Sequence, residues 1–243
     1  MTASLIASQI ARRYEAVLER IARAARRAGR APDEVRLVVV VKAQPIERIR
    51  AVVKAGARDL GENYPEQALP KMQALAAEPP VRWHMIGHLQ RRKAKLVVQH
   101  FHMMHSVDRP AIAYRLERLL APTGRRLPVL LEFNVGGEAQ KHGWPAWDER
   151  QWPALADAIA PLLELPHLQV QGLMTIPPWR EDPDEVRPFF RRLRRLRDVL
   201  ARRFPRLPWT HLSMGMSHDF EVAIEEGATF VRVGSAILGP RPK

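Results

Sequence analysis

Eight short apolar runs recur along the 243 residues, and an amphipathic segment follows each of them. The runs are Leu37–Val41, Arg58–Leu60, Trp83–Ile86, His102–Ser106, Val129–Asn134, Leu168–Leu173, His211–Met214 and Phe230–Val233. Strands alternating with helices form parallel sheets, because the crossover helix must return the chain to the same edge. An open doubly wound sheet competes with a closed barrel. Eight units in a chain of this length favour the closed form, an α/β fold of the (β/α)8 TIM type. Leu5, Ile6, Ile10, Val17, Leu18 and Ile21 mark an extra helix within residues 1–30, ended near Gly29 and packed on the barrel. No low-complexity linker interrupts the pattern, so residues 1–243 are expected to form one domain.

In such a barrel the functional face is the C-terminal end of the strands. Lys42, Asn63, His88, Asn134, Ser213 and Ser235 fall at or just beyond predicted strand ends and are expected to converge there. Lys42 closes the run Leu37-Val38-Val39-Val40-Val41, which reads as a strand buried on both faces. Its ammonium must be paired, reach water or lose its charge. A lysine with a depressed pKa can form a Schiff base with an aldehyde; the other reading is a lysine that simply marks the strand end. Ser213, Gly215, Gly234 and Ser235 suit a phosphate, whose oxygens need close backbone N–H groups and hydroxyls, or else serve tight turns and caps. Arg232 lies inside the last run. It points inward to a ligand or outward to a carboxylate, because a charge on a central strand needs a partner. Guanidinium does not give up its proton, so beside a pyridine nitrogen it leaves that nitrogen unprotonated. Lysine, phosphate cup and strand arginine together are the parts that pyridoxal 5'-phosphate requires.

The net charge of +13 raises the question of nucleic acid. Of 39 basic residues 32 are Arg, spread mainly over helical segments. In Val186–Val199 the apolar positions keep helical spacing, and Arg187, Arg191, Arg192, Arg194, Arg195 and Arg197 fill the other face. That is a solvated helix face, with weak, salt-sensitive RNA binding as the alternative. No apolar run reaches the roughly 18 residues of a membrane span. The N-terminal segment lacks the compact apolar stretch and cleavage site of a secretory signal. With no cysteine there is no disulfide or thiolate site, which fits a cytoplasmic protein. His84 and His88 straddle a strand end and a loop without the intervening Glu of a helical zinc motif, so no metal site is expected. Glu138, Lys141 and Gly143 read as an exposed loop, with a lid as the alternative, Asp108-Arg109 as a helix start, and the six tryptophans as helix packing.

Taken in order, several segments resemble the YggS/PROSC family of pyridoxal-phosphate homeostasis proteins, related to the N-terminal barrel of alanine racemase. They are Val40-Val41-Lys42, Gly61-Glu62-Asn63-Tyr64, Trp83-His84-Met85-Ile86-Gly87-His88-Leu89-Gln90, His105-Ser106-Val107-Asp108-Arg109, Gly172-Leu173-Met174, Leu212-Ser213-Met214-Gly215-Met216-Ser217 and Val231-Arg232-Val233-Gly234-Ser235-Ala236-Ile237. The resemblance implies a type III pyridoxal-phosphate fold with Lys42 as the aldimine lysine and Arg232 facing the pyridine nitrogen. It further implies a phosphate held by Ser213, Met214 (through its backbone), Gly234 and Ser235, with Asn63 near the ring. Val41, Pro65-Glu66-Gln67 and Gly136 depart from the family pattern.

The implied function is to hold pyridoxal 5'-phosphate and buffer or deliver it to enzymes that require it, as a cytoplasmic monomer without robust catalysis. A weak amino-acid racemase is the first alternative and a basic RNA-binding protein the second. Racemisation needs a second base facing the lysine. In the resembling racemases that base is a tyrosine on a further β-rich domain, whereas this chain stops at Lys243. Of its three tyrosines, Tyr14 and Tyr114 fit helix faces as core residues, and Tyr64 follows Asn63.

Overall fold

The computed structural model describes residues 3–240. Residues 1–2 and 241–243 of the expected domain lie outside the described residues. The chain runs through α1 (Ala3–Arg27), β1 (Arg36–Val40), α2 (Ile46–Lys54), β2 (Asp59–Glu62), α3 (Pro65–Ala74), β3 (Arg82–Met85), α4 (Ala94–His100), β4 (Met103–Val107) and α5 (Pro110–Leu120). It continues through β5 (Leu127–Asn134), β6 (Trp144–Pro145), α6 (Trp152–Leu163), β7 (Leu168–Met174), α7 (Arg187–Arg203), β8 (His211–Ser213), α8 (Phe220–Glu225), β9 (Phe230–Val233) and α9 (Ser235–Leu238). Each predicted run overlaps a barrel strand; the two-residue β6, which pairs only with β5, was not predicted.

The eight barrel strands are parallel and follow the order β1-β2-β3-β4-β5-β7-β8-β9. The barrel closes where β9 pairs with β1, with Val38 beside Arg232 and Val39 beside Val233. Successive side chains on a strand point to opposite faces. Val39, Val41, Leu131, Leu173, Val231 and Val233 therefore join the helices in the main core. Val38, Met103, Leu130, Met174 and Phe230 fill the barrel interior as a separate cluster. Gly61 faces that interior, where an added Cβ would stand 2.9 Å from Val38 Cγ1 and 2.8 Å from Ile86 Cδ1.

Ile10, Tyr14, Val17, Ile21 and Ala24 form one buried stripe at three- and four-residue spacing, and α1 lays it against α2, α8 and α9. Leu5 and Leu18 fall off that stripe and are exposed. The helix ends on Gly29, whose φ of +67° suits a left-handed cap, with Arg30 N donating to Ala25 O. Tyr114 is exposed, contrary to the expectation of a core residue, because the buried face of α5 is Ile112, Ala113, Leu116 and Leu120. Trp147 and Trp179 are likewise exposed rather than packed between helices.

The arginine face of α7 is an ion-pair belt. Arg187, Arg191 and Arg194 all reach the buried Glu226, and Arg192 and Arg195 reach Glu149. Much of the positive charge is thus neutralised where it stands. Among the described residues no helix is long and apolar enough to cross a membrane.

Candidate functional site

The inward alternation of Val38 and Val40 continues to Lys42. Val40 and Lys42 line a cavity of about 250 Å3 together with Asn63, Arg232, Gly234 and Ser235. A larger cavity of about 420 Å3, lined among others by His88, Glu132, Lys141 and His142, shares the walls Asn63, Ile86 and Ile176 with it. The two are adjoining chambers at the C-terminal mouth of the barrel.

Lys71 on α3 sets the spacing of this mouth. Its Nζ donates to Val41 O at 2.8 Å and to Glu62 Oε2 at 2.5 Å, which joins the end of β1 to that of β2. The other oxygen of Glu62 accepts from Asn63 N at 2.7 Å. A Cβ on Gly87 would stand 2.7 Å from Asn63 O, so only glycine lets the β3 loop lie this close. Asn63 Oδ1 is buried and has no hydrogen-bond partner, an orphaned acceptor on the wall common to both chambers. Buried polar atoms without partners are rare.

Arg232 points inward. Its Nη1 donates to Ser213 Oγ at 2.6 Å and its Nη2 to Thr175 O at 2.9 Å. Burial pulls its pKa down to about 10, opposed by Glu132 and Asp219, so it stays charged at neutral pH. Behind it a polar chain crosses the barrel interior. Ser213 Oγ lies 2.8 Å from His105 Nδ1, His105 Nε2 lies 2.9 Å from His84 Nδ1, and His84 Nε2 lies 2.8 Å from Asp59 Oδ1. Burial lowers the pKa of both histidines, His105 well below the ordinary value, and both are neutral near pH 7. Hydrogen bonds from His84 and then Arg82 outweigh the burial of Asp59 and hold its carboxyl well below the usual range. One direction of donation satisfies every member: arginine to serine to His105 to His84 to the Asp59 carboxylate.

The structure brings Lys42, Asn63, Arg232, Gly234 and Ser235 to one chamber and does not bring Ser213 or Met214 there. Ser213 is fully buried and committed to Arg232 and His105, and Met214 N donates to Phe230 O at 3.1 Å. From the same segment Met216 and Ser217 line the chamber. Gly234 N and Ala236 N point at Ser217 Oγ from 3.2 and 3.4 Å. Asn134 also departs from expectation: its side chain accepts from Gly136 N and Gly137 N and donates to Glu138 O, ordering its own loop. His88 lines the larger chamber, with Nδ1 2.5 Å from Asp108 Oδ2 and its ring stacked on His142 at 3.7 Å. Ligand-type atoms of His88, Asp108 and His142 lie within 4.8 Å of one another. The two imidazole planes are only 20° apart, so their lone pairs run side by side instead of converging, and Arg109 is bonded to His88 and Asp108.

Sequence reasoning missed Glu132, Ser217 and the Asp59–His84–His105 chain. Glu132 is 6% exposed and lines the larger chamber. Burial first, then Asp108, pushes its carboxyl up to about 7, against Arg232 and Arg109. Its signal was present as a carboxylate inside the apolar run Leu130-Leu131-Glu132-Phe133, alternating with Leu130 and Asn134.

Residues 13–242 match the family described as alanine racemase, N-terminal domain. The crystal structure of alanine racemase from Corynebacterium glutamicum shares the fold, with a TM-score of 0.69 and 19% identity over 96% of this chain and 62% of that one. A pyridoxal phosphate homeostasis protein of Aquifex aeolicus is 43% identical over 229 residues, covering 94% of this chain and 97% of the relative. PipY of Synechococcus elongatus PCC7942, solved with PLP bound, is 35% identical, with a TM-score of 0.79 over 95% of this chain and all of that one. The barrel is thus of the alanine racemase N-terminal class. Within that class, the chain belongs to the family of the pyridoxal phosphate homeostasis proteins.

Proposed function

We propose that this protein binds pyridoxal 5'-phosphate in the smaller chamber and keeps it in reserve for enzymes that need it, working as a cytoplasmic monomer. The observation that carries the reading is the meeting of Lys42, Arg232, Gly234 and Ser235 around one cavity. The residues present fit the cofactor. Lys42 offers an amine, Arg232 a guanidinium fixed by Ser213 and Thr175 O, and Gly234, Ser235 and Ser217 offer small groups around a phosphate. The PLP bound in PipY supports the same assignment.

When bound, the cofactor supplies an electrophilic aldehyde carbon and an electron-withdrawing ring. Lys42 would hold the aldehyde through its amine. Arg232, locked by Ser213 and Thr175, would offer the ring nitrogen a donor but no transferable proton. An unprotonated ring nitrogen is a weaker electron sink, which favours storage over carbanion chemistry. Tyr64 stands at the wall of the larger chamber, 52% exposed and with no side-chain hydrogen bond among the described residues. A base for racemisation needs firmer placement than that. Turnover of amino acids is therefore expected to be negligible.

The test is the visible absorbance of the purified protein with added pyridoxal 5'-phosphate, before and after borohydride, beside Lys42→Ala. A yellow band that borohydride traps on Lys42 and that the variant lacks is the expected result. A folded wild-type protein with no such band defeats the reading.

A further inference from the structure

Storage alone leaves the larger chamber without a task. Glu132 projects into it from β5, nearly fully buried, and no side chain among the described residues hydrogen-bonds its carboxylate. A buried carboxylate with no donor calls for a cationic ligand. Arg232 and Arg109 act on it through space alone; the hydrogen bonds of Arg232 go to Ser213 and Thr175 O and those of Arg109 to Asp108 and Leu89 O, while Lys93 is paired with Glu66 at 3.1 Å and Lys141 donates to Pro177 O at 2.7 Å. The chamber, of about 420 Å3, has room for an amino-acid-sized molecule and adjoins the Lys42 cavity through Asn63, Ile86 and Ile176.

We propose that the larger chamber admits a small primary amine, which docks its ammonium on Glu132 and takes the pyridoxal group over from Lys42. This rests on the role of Lys42 given above. The Glu132 carboxylate accepts one proton from the incoming ammonium and leaves a neutral amine. That nitrogen bonds to the former aldehyde carbon and its two remaining protons pass to the Lys42 nitrogen, so that the carbon–nitrogen double bond to Lys42 breaks and one to the incoming nitrogen forms. The proton held by Glu132 passes to the Lys42 nitrogen, which departs as an ammonium. Protons and charge balance, no electrons are exchanged, and the same steps in reverse load the protein. A carboxyl pushed up to about 7 takes and returns a proton easily near neutral pH.

The experiment loads the protein with pyridoxal 5'-phosphate, adds ethylamine or glycine, and follows loss of the protein-bound band by stopped flow. In wild type the rate is expected to rise with amine concentration to a plateau. Glu132→Gln is expected to lose at least about tenfold in that rate, and Glu132→Asp, which keeps the carboxylate, to recover part of it. In the cofactor-free protein, saturation transfer to ethylammonium is expected for wild type and not for Glu132→Gln. Equal release rates in wild type and Glu132→Gln, or equal saturation transfer, overturn the proposal. Failure of wild type to form a Lys42-dependent band defeats the functional reading instead, so the two failures are distinguishable.

Discussion

Arg232, which lines the chamber, meets the buried Ser213 at 2.6 Å inside the barrel. The serine hydroxyl accepts from the guanidinium and gives its own proton to His105 Nδ1, 2.8 Å away. Ser213 therefore aims the arginine. Replacing it with Ala leaves an Arg232 donor and a His105 acceptor unsatisfied in the interior. Each such group costs about 1–3 kcal/mol. Ser213→Ala is expected to lose roughly 2–4 kcal/mol in urea unfolding. The variant is also expected to bind pyridoxal 5'-phosphate about tenfold more weakly by absorbance titration, equivalent to 1.4 kcal/mol. An unchanged binding curve in a destabilised protein would show that Arg232 keeps its aim without the serine.

Lys71 offers a second test, on the geometry of the mouth. It is the cation that pairs with the fully buried Glu62 and also holds Val41 O. Removing one partner of a buried pair leaves an uncompensated charge, which costs about 3–5 kcal/mol. Lys71→Met is expected to fall in that range. The double variant Lys71→Met/Glu62→Gln should regain a good part of the loss, because it strands no charge. Thermal denaturation of the four proteins of the cycle checks both statements. Equal losses in the single and double variants would place the cost in the lost bond to Val41 O instead.

The strands were legible because runs such as Leu37–Val41 and Val129–Asn134 combine apolar and β-branched residues at lengths that suit buried parallel strands. Lys42 and Arg232 were legible for a related reason: a charge beside such a run has few places to go. The choice between Ser213 and Ser217 was not legible. It depends on where β8 ends, and β8 stops at Ser213, so the residues that turn into the chamber come later in the same glycine-containing segment. The relay behind Arg232 was hidden because Asp59, His84, His105 and Ser213 come from four different strands and meet only through barrel closure. Glu132 was passed over because one carboxylate in an apolar run gives no periodic signal.

The relay also sets a pH dependence. His84 and His105 are buried neutral, so their folded pKa values lie below the ordinary 6.5. Between those values and about 6.5 the unfolded chain binds protons that the folded protein refuses, so stability falls as pH drops through this window. Asp59 adds a second loss further down. Its folded pKa is depressed, and its contribution disappears as pH falls below the ordinary carboxylate range of about 4. Glu132 acts in the opposite sense. Its raised pKa of about 7 makes the folded state the better proton binder above its ordinary value, so it opposes stability as pH rises towards 7. Urea midpoints are expected to fall steadily from pH 6.5 to pH 4 in wild type. Glu132→Gln should be the more stable protein at pH 8, by up to about 3 kcal/mol, and should lose that advantage by pH 5. A gain that is the same at both pH values would rule out titration of Glu132 as its source.

The chamber roof gives the last prediction. Lys141, in the loop after β5, donates to Pro177 O at 2.7 Å and to Ile176 O at 3.3 Å in the loop after β7, and it pairs with Glu138. Ile176 walls both chambers, so this one side chain ties the two loops over the site. Lys141 is part-exposed. Its loss is therefore expected to cost under about 1 kcal/mol of global stability. The loops themselves should open more readily, because loop opening draws on local rather than global free energy. Lys141→Ala is expected to release bound pyridoxal 5'-phosphate several-fold faster with little change in melting temperature. Hydrogen exchange should quicken in residues 136–143 and 175–179 and stay unchanged in β1 and β9. Faster release without faster exchange in those loops would mean that Lys141 acts on the ligand directly and not by tying the roof.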